Sequence, residues 1–173
     1  SNEIKKLFIK DCPGSSTSGS VGRALRLISL YGDKILLMHQ ADWISGWILN
    51  NWELGEEGNN LRMGWDIYTN SWPNTFKNLK WIGCLPKIVS SGHIMGRICI
   101  TKAKEFNIPE NLKVIAGTTD SNAGFLATSP RKSDGVTILG STLVIKKLVY
   151  KPLSGGSISN HKLLGNWICG GAS

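Results

Sequence analysis

The sequence predicts an α/β fold in two parts, and three observations carry that reading. Before residue 130 apolar side chains recur at three- and four-residue steps, as amphipathic helices require. After it, β-branched runs bounded by turn residues dominate, the texture of strands. Between the two, Ser129-Pro130-Arg131-Lys132-Ser133-Asp134-Gly135 interrupts both patterns. A domain boundary is therefore expected between residues 133 and 134, giving parts 1–133 and 134–173.

Pro13 to Ser20 is a small-residue turn that leads into a helix with Val21, Ala24, Leu25, Ile28 and Tyr31 on one face. Ser20 is its expected cap and Gly32 its stop. The turn lacks the Gly-Lys-Ser/Thr ending of a phosphate loop, so it reads as a flexible approach to a capped helix. A second helix is expected over Gln40 to Asn50, with Ala41, Ile44, Trp47 and Ile48 on one face. Glu53 to Asn60 is polar and reads as loop. A third amphipathic pattern, with Phe76, Leu79, Trp81 and Ile82, runs from Trp72 to Leu85 and ends before Pro86. Pro86 to Ile98 is expected to hold a short extended segment and a Gly-punctuated turn, followed by a short helix from Thr101 to Asn107.

Lys113-Val114-Ile115-Ala116-Gly117 reads as a buried strand that enters a small-residue helix, Asn122 to Thr128, through Thr118-Thr119-Asp120-Ser121. Beyond the break, strands are expected over Val136 to Gly140, Thr142 to Leu148 and Leu164 to Cys169. A Pro/Gly/Ser loop, Pro152 to Ser159, interrupts them.

The chain of 173 residues is 41% hydrophobic and 18% charged, with seven Trp, the composition of a globular protein. It has no apolar run of membrane-spanning length. Ser1-Asn2-Glu3-Ile4-Lys5-Lys6 leads only into the short apolar patch Leu7 to Ile9, so no signal peptide is read. The opening Ser1-Asn2 in place of Met is read as a tag remnant or a start in mid-protein. Cys12, Cys84, Cys99 and Cys169 form no Cys-x-x-Cys pair and read as dispersed reduced thiols, which implies a cytoplasmic setting. His39, His93 and His161 are too widely spaced for a zinc site, and no metal ligands are assigned. The excess of 20 basic over 12 acidic residues gives a net charge of +8. The charges are scattered singly or in pairs (Lys5-Lys6, Arg131-Lys132, Lys146-Lys147), with no basic stripe. A solvated surface that attracts anionic metabolites is preferred to a nucleic-acid interface.

Two segments carry chemistry. In Ala116-Gly117-Thr118-Thr119-Asp120-Ser121-Asn122-Ala123-Gly124 a carboxylate stands at the carboxyl end of a strand, where open α/β sheets place ligands. Asp120 is read either as a functional carboxylate or as the N-cap of the next helix, and the two roles are compatible. In Val136 to Ile145 a Gly140-Ser141-Thr142 kink can turn N–H groups and hydroxyls toward an anion. Its alternative is an ordinary hairpin turn.

In this order, the two segments resemble the FGGY carbohydrate kinases. Gly117-Thr118-Thr119-Asp120 is similar to the turn that supplies that family's catalytic aspartate, and Gly140-Ser141-Thr142 to its nucleotide-phosphate turn. Further stretches are collinear: His39 to Ile48; Asn59 to Ile67 with Trp72-Pro73; Leu85 to Val89 with Ser91-Gly92 and Gly96; and Gly170-Gly171-Ala172-Ser173. Thr-Thr-Asp-Ser with Leu-Gly-Ser-Thr looks most like the D-ribulose/D-xylulose kinase branch of photosynthetic organisms.

The resemblance implies an actin-like, ribonuclease H-like fold. Residues 1–133 would be the later part of the sugar-binding domain, and 134–173 the start of the nucleotide-binding domain. It implies ATP and Mg²⁺, Asp120 as general base, Thr119 and Ser121 toward the sugar, and Gly140, Ser141 and Thr142 toward the nucleotide phosphates. Ser121 departs from the family's usual Asn or Gln, which leaves the sugar open between D-ribulose and D-xylulose. The family's Asp-x-Gly-Thr hairpin is not found, so the chain is read as an internal fragment that would be inactive alone. Self-association into a homodimer stays open, and neither a membrane nor a nucleic acid is expected as partner. The alternatives are an actin-like ATPase relative or non-catalytic scaffold, and, third, a basic nucleic-acid-binding module.

Overall fold

Where the 3.6-residue period is clearest, the chain is helical: α1 spans Val21–Tyr31 and α2 Gln40–Leu49. The computed structural model describes residues 4, 6–8, 12–16, 19–156 and 158–172. Ser1-Asn2, Thr17 and Ser18 of the first turn, Ser157 of the Pro/Gly/Ser loop and Ser173 of the closing motif lie outside the described residues. In α1, Val21 and Ala24 are buried and Leu25 and Ile28 pack against them, whereas Tyr31 points to solvent. Gly32, at φ +77°, ends the helix by donating its N–H to the Ile28 carbonyl. Ser20 is the N-cap by position, but its side chain makes no capping bond.

The buried face of α2 differs from the expected one. Ala41 and Ile44 are exposed, and Asp42 and Gly46 are the buried pair. A β-carbon at Gly46 would lie 2.5 Å from the Trp52 ring, so close packing selects glycine there. The burial of Asp42 has a polar cause. Its carboxylate accepts hydrogen bonds from the Glu56 N–H at 3.0 Å, Asn59 Nδ2 at 3.1 Å and Asn60 Nδ2 at 2.9 Å.

That cluster also explains why residues 53–60 are not the expected loop. They form strand β1, Leu54–Glu56, and one helical turn, α3, Glu57–Asn60. The Glu56 carboxylate caps α3 by accepting the N–H groups of Gly58 and Asn59, each at 2.8 Å, and also accepts the Ser91 hydroxyl at 2.7 Å. Polar residues that satisfy one another can be buried, so composition misleads here.

β1 pairs in parallel with β2, Lys87–Val89. The third amphipathic pattern is not a helix but two 3₁₀ turns, Asn74–Phe76 and Ile82–Cys84, set around an aromatic core. The Phe76 ring lies 5.4 Å from that of Phe8, 5.1 Å from Trp81 and 6.2 Å from Trp72. Edge and face contacts among four rings outweigh the weak helix propensity of a stretch holding Asn78 and Gly83.

β3, Ile94–Arg97, runs antiparallel to β4, Lys113–Ile115, and α4, Ile100–Glu105, connects them. The strand expected to be buried is therefore half of a two-stranded ribbon: Ile115 is 54% exposed, and Ala116 is the buried residue. Helix α5 spans Asp120–Ala127. The remainder is an antiparallel sheet of order β5-β6-β8-β7: β5 Gly135–Leu139, β6 Leu143–Val149, β7 Ser159–Leu163 and β8 Asn166–Ala172. Three strands were expected; β7 is the fourth. Phe125 of α5 seals one face of this sheet, packed with Leu163 and Ile168 and flanked by Val136 and Leu148. Among the described residues no helix is long and apolar enough to cross a membrane.

Replacing Asp42 by Ala removes the acceptor of three hydrogen bonds, from the Glu56 N–H, Asn59 Nδ2 and Asn60 Nδ2, of which only Asn60 Nδ2 keeps another acceptor, the Glu56 carbonyl. The expected loss is roughly 3 kcal/mol of unfolding free energy, read as a lower urea midpoint at unchanged slope.

Candidate active site

The turn that carries Asp120 is fixed from both sides. The Gly92 N–H donates to the Ala116 carbonyl and the Ala116 N–H to the His93 carbonyl, both at 2.8 Å. Gly92 adopts φ +84° in this turn, a conformation that costs little only for glycine. The chain then passes through Gly117 and Thr118 into α5. Thr119 is the N-cap, without a side-chain capping bond, and Asp120 is the first helical residue. The capping role for Asp120 is thus corrected. Its carboxylate is exposed and has no hydrogen-bond partner among the described residues. Its position in the first turn places it in the favourable field of the helix dipole.

Asp120 faces a cleft of about 1220 Å³ between the helical part and the four-stranded sheet. Thr119, Asp120, Ser121 and Asn122 line one side. Val144 and Lys146 of β6, His161 of β7, and Gly170 and Gly171 of β8 line the sheet side. His39, Asn59, Arg62, Trp65 and Asp66 close it from the helical part. One rim is fastened. The Tyr68 and Trp167 rings stack at 5.4 Å, Asn160 Nδ2 donates to the Tyr68 hydroxyl at 3.0 Å, and Lys162 Nζ donates to Asn70 Oδ1 at 3.0 Å.

The predicted residues therefore separate. Thr119, Asp120 and Ser121 share the cleft. Gly140, Ser141 and Thr142 form the exposed tip of the β5–β6 hairpin and are not on the cleft wall. The Gly140 N–H is occupied by the Thr142 carbonyl at 3.3 Å. The hydroxyls of Ser141 and Thr142 have no hydrogen bond among the described residues. The hairpin reading of this segment holds.

Three cleft residues escaped the sequence reading. Lys146 was placed on a solvated surface as one of a charged pair, yet it is 6% exposed. It stands at the inward position of β6 between Val144 and Leu148, while Leu143, Ile145 and Lys147 face out. Its ammonium donates to Asn122 Oδ1 at 2.7 Å, and Asn122 is itself 1% exposed. Burial pushes the Lys146 pKa down, and the Asp120 carboxylate opposes that shift. His161 is pushed down to about 4 by burial, with the Lys146 charge acting in the same direction. Burial also lowers the His39 pKa; Asp42 opposes the shift, and Arg23 and Arg62 reinforce it. Period-2 alternation could have put Lys146 on the same face as Val144 and Leu148, but it cannot say which face is covered. The four cysteines are free, and no group of three or more metal-ligating side chains is found among the described residues.

No protein-family model matches the sequence. Solved structures do. The chain is similar to ligand-bound xylulose kinase from Lactobacillus acidophilus (TM-score 0.79, 16% identity, 98% of this chain and 36% of that one). It is similar to xylulose kinase from Rhodospirillum rubrum (0.80, 15%, 98% and 37%). It is also similar to Plasmodium falciparum glycerol kinase with ADP (0.74, 14%, 99% and 39%). The likeness establishes the fold: this is the actin-like architecture of the sugar kinases, as the motif resemblance implied. The chain spans 36% to 39% of the length of these three structures.

His161 gives the cleft a measurable acid sensitivity. Below about pH 6.5 the unfolded chain takes up a proton that the folded site refuses, so stability falls as the pH drops toward 4. Between pH 7 and pH 5 the parent should lose roughly 2 kcal/mol more than His161→Gln in urea unfolding.

Proposed function

We propose that this chain contributes the cleft of an ATP-dependent kinase that phosphorylates a hydroxyl of a small sugar, with Asp120 as general base. One observation carries the reading. An unbonded carboxylate stands at a strand-to-helix turn, exposed to a large cleft, in a chain with the fold of sugar kinases. Two of the similar structures are xylulose kinases, which favours a ketopentose, D-ribulose or D-xylulose. The third holds ADP, which supports ATP as donor.

In this scheme Asp120 accepts the proton of the sugar hydroxyl as its oxygen attacks the terminal phosphorus. A carboxylate free of protein partners can do so without breaking an existing bond. Thr119 and Ser121 flank the base and offer hydroxyls to the sugar. Ser141 and Thr142 at the hairpin tip, with Gly140 between them and β5, serve the nucleotide phosphates. Mg²⁺ supplies charge neutralisation on the phosphate oxygens during transfer. Among the described residues no group of three or more His, Cys, Asp or Glu side chains is placed to hold the ion. Residues 1–133 form the sugar side of the cleft in this assignment, and residues 134–173 the nucleotide side.

The test is ketopentose-dependent ADP release by the complete gene product. Asp120→Asn keeps the shape of the side chain and removes its basicity, and kcat should fall by about 10²- to 10⁴-fold at unchanged melting temperature. Turnover that no sugar stimulates, or a fully active variant, would sink the assignment.

A further inference from the structure

Lys146 is the least expected residue in the cleft. Removing an ammonium from water costs several kcal/mol unless charge or several hydrogen bonds compensate it. Here the compensation is a single bond to a neutral amide, Asn122 Oδ1, at 2.7 Å. Two of the three ammonium hydrogens are left over. Beside it, Asn122 Nδ2 and His161 Nδ1 are buried without a hydrogen-bond partner. All three residues line the cleft that holds Asp120.

Asp120 is the nearby opposite charge, but the two do not collapse together. Among the described residues no ion pair within 4.0 Å joins them. Asn122, two residues along α5 from Asp120, takes the lysine's hydrogen bond instead. The cleft thus presents a free carboxylate on its helix side and an undercompensated cation on its sheet side, held apart. Such a division suits a reaction in which a proton leaves one atom while negative charge gathers on the oxygens next to it.

We propose that Lys146 is a catalytic residue, its ammonium aimed by Asn122 at the non-bridging oxygens of the phosphoryl group in transfer. This rests on the kinase reading above. In the step, the bond from sugar oxygen to phosphorus forms as the bond from phosphorus to the bridging oxygen of ADP breaks. The hydroxyl proton passes to Asp120, and the leaving electron pair stays on ADP. Lys146 keeps its protons throughout and stabilises charge.

The test uses the complete gene product, its Lys146→Met variant and, as a second route if that variant melts early, Lys146→Gln. Binding of ADP and of the imido analogue of ATP is titrated by calorimetry, and kcat and KM are measured with a ketopentose. Loss of a charge-assisted bond to the terminal phosphoryl group should weaken the analogue about tenfold or more and leave ADP within about threefold. kcat should fall by about 10²-fold or more, as for other lost transition-state donors. Equal effects on both nucleotides, or kcat within about threefold of the parent, would make Lys146 a tie between helix and sheet and overturn the proposal. A loss confined to the KM of the ketopentose would assign the cation to the sugar instead, and equally overturn it. A parent that no sugar stimulates removes the kinase reading itself, and this proposal with it. A parent that turns over while both Lys146 variants match it removes this proposal alone.

Discussion

Everything around the site hangs from two buried carboxylates. Asp42 and Glu56 are each 2% exposed, and among the described residues neither forms an ion pair. Their charge is met by hydrogen bonds instead, three to Asp42 and three to Glu56. Those bonds tie α2 to β1, cap α3 and reach across to Ser91. From Ser91 the chain continues into Gly92, whose N–H holds the Ala116 carbonyl four residues before Asp120. A polar knot in the helical part thus fixes where the strand-to-helix turn begins. The cost of burying the knot is visible at Glu56, whose pKa burial raises against the pull of Ser91, Gly58 and Asn59. Polar cores of this kind specify one geometry rather than maximise stability, because any slip leaves a donor unpaired.

The second anchor of the turn comes from the other direction. Phe125 is fully buried against the four-stranded sheet, with Leu163 and Ile168. It lies on the same short helix as Asp120 and Asn122. Apolar packing at one end and the Asn122–Lys146 bond at the other hold α5 on the sheet face. The helix that begins at Asp120 is therefore shared between the two parts of the chain. Its first turn belongs to the cleft and its second to a core.

Much of this was legible from residues, for identifiable reasons. α1, α4, strands β5, β6 and β8 and the hairpin at Gly140 follow local periodicity and turn chemistry, which act over a few residues. The failures all involve partners far away in sequence. Glu56 and Asn60 looked like loop because they bond to Asp42 and Ser91, far from them in sequence. Trp72 to Leu85 looked helical because its apolar spacing fits a helix, but Phe8 and the neighbouring Trp rings decide its path. β7 was hidden because only Leu163 in it is buried and apolar. The place of Asp120, at the turn from a strand into a helix, was legible from the residues around it. Lys146 and His161 were not, since nothing local distinguishes an inward-facing lysine from an outward one.

The fastening at the rim has a mechanical consequence. Tyr68 and Trp167 come from segments 99 positions apart, and their rings lie nearly parallel, 23° between planes. With the Asn160 and Lys162 bonds alongside, this corner joins the two walls by direct contact rather than through the backbone. Any widening of the mouth must either part that stack or swing about it, so the aperture grows unevenly, least at the fastened corner. The same stack makes the motion visible to light. The indole of Trp167 sits against a phenol, and its emission and near-ultraviolet dichroism depend on that overlap. Aperture and optical signal are thus coupled in one pair of side chains, an intrinsic gauge that requires no added label.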